Sequence, residues 1–532
     1  MTKDNNQPTY IMPEGTERNT GRSAQRMNIL AARLVAETVR TTLGPKGMDK
    51  MLVDSLGDVI VTNDGVTILR EMEIDHPSAK MIIEIAKTQE DEVGDGTTTA
   101  VVLAGELLKQ AEDLLDKNIH PTIIAKGYRM AAEKSRTILS IMAKEIDNDS
   151  ILKKISETAM TGKGAEDSKE HLSELIITAI KKVKDEDSQS IKENIKIEKK
   201  TGASIDDSEL IQGIVLDKEK VHSGMPSKIK NAKIALIDSA IEIKSPENDT
   251  KISITDPEKI QSFLDMEETM IKNMVEKIKK SGATAVFCQK GIDDLAQHFF
   301  YKAGIYACRR IKKSDMARLS KATGAKIITD LNELSKDDLG SSGLLEEVKV
   351  GEDFMTYIKD CENPKSVTIL IRGATNHVTD EVARAVEDAI GDVSAALSNN
   401  KVVAGAAATE MRLSKELYDY SQKLNGREQL AVQAFASALE IIPKTLAENA
   451  GIDPIDVLTE IKSNPDKFEW PGIDVFTGKI IDAWKEGIIE PLKIKTQGLS
   501  SAAEVATLIL RIDDVILSEK KSSFMPESQD RE

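Results

Sequence analysis

The stretch Val93-Gly94-Asp95-Gly96-Thr97-Thr98-Thr99-Ala100 runs directly into an apolar helical pattern, VVLAGELLKQAEDLL over 101–115. The first N–H groups of such a helix have no intrahelical partner, and its dipole favours negative charge at that end. Glycines at 94 and 96 let an incoming group approach the backbone, and three threonines add hydroxyl donors. The stretch therefore reads as an anion site suited to phosphate. Asp95 offers the hard carboxylate oxygen that Mg²⁺ prefers, and an ion shared with phosphate oxygens would relieve the aspartate–phosphate repulsion. The plainer alternative is a threonine N-cap after a glycine turn.

Outward from this point, Ser23 to about Ala143 is mainly helical, with apolar residues three and four apart in Met27–Val39, Met81–Ile85 and Val101–Leu115. One β interruption stands out: in DVIVTNDGVTIL (58–69), β-branched runs flank Asn63-Asp64-Gly65, which predicts a tight hairpin with Asp64 as a turn residue. LGPKGMDK (43–50) is either a helix-ending turn or a second backbone cradle. Neither GPKGMDK nor TGKGAED fits G-x-x-x-x-G-K-[ST], so an ordinary P-loop is excluded.

Further along, the lysine- and glutamate-rich KKVKDEDSQSIKENIKIEKK (181–200) predicts a solvated helix in a connecting domain. The runs KIALID (233–238), TAVFCQ (284–289), IYACRR (305–310) and KIITD (326–330) alternate with helical segments, the signature of βαβ units and a parallel sheet. Between the first two lies a long elaboration in which Asp256-Pro257 reads as a helix start and Ile260, Phe263, Leu264, Met270, Ile271, Met274 and Ile278 form one apolar stripe. After the strand VTILIRG (367–373), a helix carries Asp388 off its apolar face, a solvated carboxylate by default, and Lys163 alone is a loop lysine. Helices thus bracket an α/β insert, which suggests nested domains.

Composition sets the outer limits. The chain has 532 residues, 40% hydrophobic and 30% charged, with a net charge of −17 that opposes a nucleic-acid partner. Three cysteines form no disulfide framework or CxxC site, and the first twenty residues lack a secretory apolar core. With no apolar run of about 18 residues, the expectation is a cytoplasmic protein without a membrane partner.

Taken in order, LGPKGMDK, VTNDGVTIL, GDGTTTAVVLAGELL, KVHSGMP, FCQKGIDDLAQH, VEDA and IEPLKIKTQ closely resemble a group II chaperonin subunit of the archaeal thermosome type, from about Asn19 to Leu517. The resemblance implies a multidomain α+β and α/β fold. Its parts would be a mainly helical equatorial ATP-binding domain (1–144 and 404–532), a small intermediate hinge domain (145–214 and 367–403), and an α/β apical client-binding domain (215–366). A helical protrusion near 244–280 would form a built-in lid. It also implies a double-ring oligomer of identical or paralogous subunits, nonnative client proteins, a prefoldin-like co-chaperone, and ATP with Mg²⁺.

Carried over by position, Leu43, Gly44, Pro45, Asp95, Gly96, Thr97, Thr98, Thr99, Thr161, Lys163, Gly405, Ala406, Asp474 and Glu490 would contact the nucleotide. Within that set Asp95 would hold Mg²⁺, Lys163 would sense the γ-phosphate, and Asp474 and Glu490 would lie near the adenosine. Asp64 and Asp388 would be the catalytic pair, and Ile252, Ile254, Phe263, Leu264 and Met266 would meet clients or neighbouring lids. The chain departs from the family in Val402-Val403-Ala404-Gly405-Ala406-Ala407-Ala408, with alanine at the second and third positions of a glycine triplet. Two methyl groups there would crowd the ribose; at negative φ alanine would be tolerated and would favour the following helix, whereas a need for φ > 0 would weaken binding. The competing expectations are a ring subunit with weak or absent ATPase and, from another class, a small-molecule phosphotransferase.

Overall fold

The computed structural model describes residues 16–53, 57, 59–72, 74–183, 191–243, 257–350, 353–463 and 467–518. The chain divides into two compact units, one from residues up to Glu145 together with Lys401 onward, the other from Ile146–Asn400.

In the first unit the central element is the helix Thr97–Asp116, whose buried residues, among them Val101, Leu103, Leu107, Leu108 and Leu114, lie on several faces. A helix apolar on several faces belongs inside a core. It packs against the helices Gly21–Arg40, Pro77–Glu92 and Leu492–Leu510, so both ends of the chain close over it. Leu107 is fully buried, and truncating such a side chain costs about 2–5 kcal/mol. The strands Thr16–Thr20 and Asp514–Ser518 pair antiparallel, with Arg18 bonded to Asp514 at 2.5 Å. The segment Glu428–Asn449 is long and apolar enough to cross a membrane, but 72% of its apolar window is buried within the fold, as expected of core.

The Asn-Asp-Gly reading is corrected here. The strands Lys50–Val53 and Val59–Thr62 pair with each other, Lys50 opposite Thr62, so Asn63-Asp64-Gly65 follows the hairpin instead of turning it. Asp64 is the N-cap of the helix Gly65–Glu71. A short carboxylate that accepts from the next amides serves a helix start as well as a turn, and local sequence does not separate the two.

The second unit holds a seven-stranded mixed sheet. Lys228–Ile237 pairs parallel with Ala285–Cys288 and with Ile327–Ile328, and Ala285–Cys288 pairs parallel with Tyr306–Cys308, as the βαβ pattern predicts. Gly340–Val350, Asp353–Lys359 and Ile214–Leu216 extend it antiparallel. A three-stranded sheet places Val367–Gly373 between Ile195–Thr201, parallel, and Glu209–Ile211, antiparallel. The helix predicted through 181–200 therefore fails at its end, where IKIEKKT, with Ile195 and Ile197 two apart, forms a strand. Nor is Lys196 solvated: it is buried and bonds Glu198, Asp315 and the Val215 carbonyl.

The long helix Pro257–Ser281 is two-natured. Ile271, Val275 and Ile278 are buried with Ile241, Val286 and Phe300, whereas Phe263, Leu264 and Met266 are 44%, 51% and 50% exposed. Ile252, Ile254 and Asp256 lie outside the described residues.

Candidate functional site

The helix Thr97–Asp116 starts behind Gly96, at φ 76°, a cap residue with no side chain of its own to offer. The threonine-cap alternative is thereby overturned, since Thr97 is already helical and Gly96 is the cap position. The first turn carries no acid, a charge pattern that suits an anion at this end of the helix dipole. Only glycine fits at 96: a Cβ there would stand 2.6 Å from Ile494 Cγ2 and 3.2 Å from Gln89 Nε2. Gln89, fully buried, donates its Nε2–H to the carbonyls of Asp95 (2.9 Å) and Ile494 (3.3 Å), fixing the turn between two helices.

Other site residues converge within the same unit. Asp64 accepts from the Thr67 amide at 2.9 Å and from the Thr67 hydroxyl at 2.6 Å. A Cβ on the adjacent Gly65 would stand 2.4 Å from Thr98 Oγ1, so the Asp64 turn abuts the cradle. Leu43 is buried and its carbonyl accepts from Asn449 Nδ2 at 2.9 Å, while Gly44 takes φ +81° against Leu446. Beyond Pro45, the Lys46 ammonium lies 5.0 Å from the Phe476 ring centroid, which joins this turn to the loop of Asp474. Burial pushes the Asp474 carboxyl up, but the Thr477 hydroxyl at 2.5 Å and the Phe476 and Thr477 amides outweigh it and hold it below the usual range.

Gly405, Ala406 and Ala407 form a second turn, leading into the helix Ala408–Ser421. Ala406 and Ala407 adopt φ 52° and 60°. Ala407 is 4% exposed within the core, and the partly buried Ala406 packs against the same core and approaches Gly472. The cost is backbone strain, about 1–2 kcal/mol for each left-handed alanine. Glu490 reaches over Gly405, where a Cβ would meet its Oε1 at 2.5 Å. Its Oε2 accepts from Lys495 Nζ at 2.5 Å, and Lys495 also bonds Glu410 Oε1 at 2.7 Å. Burial pushes the Glu490 carboxyl up, with Glu410 and Asp95 adding to the shift and Lys495 opposing it. Burial acts to lower Lys495, yet the two glutamates overcome it and hold the ammonium above the ordinary lysine range.

In the second unit the helices Asp149–Met160 and Asn376–Asn399 pack together. Lys163 Nζ bonds Asp388 Oδ2 at 2.5 Å, each side chain about one-quarter exposed. Asp388 is thus an ion-pair partner instead of a freely solvated carboxylate. Thr161, the C-cap of the first helix, turns its hydroxyl back to the Glu157 carbonyl at 2.7 Å.

Among the described residues no group of three His, Cys, Asp or Glu side chains could cage a metal. The donor set does fit Mg²⁺ bound jointly with phosphate, which needs only one or two carboxylates. Asp95 is such a donor, and its charge is felt at Glu490. Gln89, Glu410 and Lys495 escaped the sequence reading. Gln89 had a signal: it continues the buried face of Ile82, Ile85 and Ala86, where a polar residue is out of place.

An α/β unit inserted into a helical unit closed by both chain ends, with a glycine–threonine cradle at its central helix, is the build of a chaperonin subunit. The chain belongs to the TCP-1/cpn60 chaperonin family, whose model matches residues 35–520, and acts as a molecular chaperone of the group II kind. It is 60% identical over 516 residues to the thermosome subunit beta of Archaeoglobus fulgidus, covering 96% of this chain and 95% of that relative. It is 59% identical over 517 residues to the thermosome subunit beta of Methanothermobacter thermautotrophicus (97% and 96% covered). The thermosome subunit alpha of Archaeoglobus fulgidus is 57% identical over 515 residues (96% and 94% covered), so that organism carries two paralogous relatives.

Proposed function

We propose that this chaperone is an ATPase that, in a double ring of identical or paralogous subunits, encloses nonnative proteins and folds them as hydrolysis closes a built-in lid. The observation that carries the reading is the start of the helix Thr97–Asp116 behind a left-handed glycine, with Asp95 beside it and no acid in its first turn. Thr97, Thr98, Thr99 and the Leu43-Gly44-Pro45 turn bind the phosphates; Thr161 and Lys163 approach the γ-phosphate; Gly405, Ala406, Asp474 and Glu490 receive the nucleoside. Mg²⁺ held by Asp95 would neutralise charge on the phosphoryl oxygens. Asp388 accepts the proton of the attacking water and Asp64 orients that water, both tasks suited to carboxylates.

The equatorial, intermediate and apical division given above, a cytoplasmic location and delivery of clients by a prefoldin-like partner belong to the same proposal. Three free, buried cysteines accord with a reducing compartment. The exposed Phe263, Leu264 and Met266 give the protrusion an apolar strip for clients or neighbouring lids.

The test is steady-state ATPase of the size-fractionated oligomer beside Asp64→Ala and Asp388→Ala. Turnover falls by about 10²–10⁴ in each while ADP binding survives; unchanged turnover would sink the assignment. A second reading, a ring subunit with weak or absent ATPase, is favoured by one observation, the positive φ of Ala406 and Ala407. If Ala406→Gly with Ala407→Gly leaves turnover unchanged, that reading loses its basis.

A further inference from the structure

Two carboxylates share one ammonium beside the Gly405 turn. Glu490 comes from the strand Ile489–Pro491, Lys495 from the first turn of the helix Leu492–Leu510, and Glu410 from the first turn of the helix Ala408–Ser421. Lys495 is about one-tenth exposed, and a lysine so deep keeps its charge only through close acidic partners. Its bonds to Glu410 and Glu490 meet that need, yet they leave the group one positive charge short.

The two acids are not equivalent. Glu410 is buried, and among the described residues its Oε2 has no hydrogen-bond partner, so it faces protein only. Glu490 has Oε2 on Lys495 and Oε1 over Gly405, on the turn that precedes Ala406, and the charge of Asp95 reaches it from the cradle. An acceptor held over a Cβ-less residue beside an anion site suits a neutral donor, the vicinal hydroxyls of a ribose, more than a second anion.

We propose that Lys495 is a positioning residue for nucleotide binding: it holds Glu490 over the Gly405 turn, ionised and aimed to accept from the ribose hydroxyls, with Glu410 as its counter-anchor. This rests on the ATP-binding reading above. Lys495 does not touch the nucleotide; it fixes one rotamer of Glu490 and supplies the charge that lets a buried carboxylate remain an acceptor. Among the described residues, Lys495, Glu410 and Asp95 act on the Glu490 carboxyl, and removing Lys495 leaves two acids that both push it up.

The experiment uses the assembled oligomer, with ATP turnover and ADP binding measured from pH 5.5 to 8.5 for wild type, Lys495→Met and Lys495→Arg. In Lys495→Met, KM for ATP rises about tenfold with saturating kcat within about twofold, the scale of one lost charge-assisted hydrogen bond. Its KM climbs further as pH falls and Glu490 protonates, its preference for ATP over 3′-deoxy-ATP shrinks, and Lys495→Arg restores most of both. A wild-type KM and pH profile in Lys495→Met overturns the proposal; so does a joint loss of kcat and KM that arginine fails to rescue. Should Lys495→Met not assemble, Glu410→Gln decides: with the counter-anchor weakened, KM for ATP rises severalfold and the preference for ATP over 3′-deoxy-ATP shrinks, and a wild-type KM with wild-type preference overturns the idea. A wild-type oligomer that binds no ADP at all defeats the underlying ATP reading, a different failure from any of these.

Discussion

Two turns in the first unit have nearly the same shape and opposite fates. Gly96 opens the helix Thr97–Asp116 at φ 76°, and Ala407 opens the helix Ala408–Ser421 at φ 60°; neither cap residue has a side chain that can accept from the helix amides. In the second case the fold meets the electrostatic demand itself, for Glu410 lies in the first turn and Lys495 anchors it. In the first case no acid occupies the first turn, and the half-buried Thr98 and Thr99 leave the end open. Turn shape therefore does not make an anion site. On the proposed reading, what makes one is a helix start with no acid in its first turn.

The sharpest way to break this contrast is to give the first helix what the second already has. Thr99→Glu places a carboxylate in the first turn, where it stabilises the helix by about 0.3–1 kcal/mol while repelling phosphate. ADP affinity measured by titration calorimetry should fall by about a hundredfold or more, with the apparent Tm unchanged or slightly higher. Retained affinity would mean that the phosphates bind elsewhere. Next in size is Gly96→Ala, which forces a left-handed alanine and sets a methyl against Ile494 and Gln89. It should cost about 2 kcal/mol, read as a several-degree drop in apparent Tm at fixed scan rate, and weaken ADP binding as well.

The contrast also explains what was legible in the sequence. The cradle could be read because its parts are contiguous: glycine, threonine and an apolar helical period fall within about twenty residues. Asp64 was found but assigned the wrong local role, since turn and N-cap use the same carboxylate-to-amide bonds. The Lys163–Asp388 pair spans 225 positions and left no local trace, so each residue looked solvated until the fold joined them. The second turn was read in terms of methyl crowding and of the sign of φ, and sequence alone shows methyl groups but not torsions. In the fold φ is positive at both alanines, and the Ala407 methyl is buried in the core. The strand Ile195–Thr201 was lost for a related reason: its charges suggested a solvated helix, while its apolar alternation, carried by Ile195 and Ile197 alone, is too short to outweigh them.

If strain is the real cost of the second turn, removing it should be mildly favourable. Ala407→Gly relieves a left-handed alanine but returns entropy to the unfolded chain, so the net gain is about 0.5–1 kcal/mol. Ala406→Gly should behave alike at φ 52°. The check is the apparent Tm of each variant at one scan rate. A loss of stability in both would show that the buried methyl groups matter more than the torsion, and that the two turns differ in packing before they differ in strain.

The smallest effect belongs to the loop beneath the second turn, where the Ile473 amide donates to the Ala406 carbonyl and Asp474 follows. Its carboxyl is held below the ordinary range, chiefly by the Thr477 hydroxyl against the opposing effect of burial. A group whose folded pKa is depressed adds stability above its unfolded pKa, about 3.9 for aspartate, and loses it as pH falls through the folded value. Thr477→Ala should therefore lower stability by a few tenths of a kcal/mol at pH 7, an amount limited by solvent screening of a partly exposed group. The difference from wild type should stay constant down to about pH 5 and vanish below the folded pKa. A difference that persists unchanged at pH 3 would assign the loss to packing of the threonine methyl, and the Asp474 loop would then brace the alanine turn by shape alone.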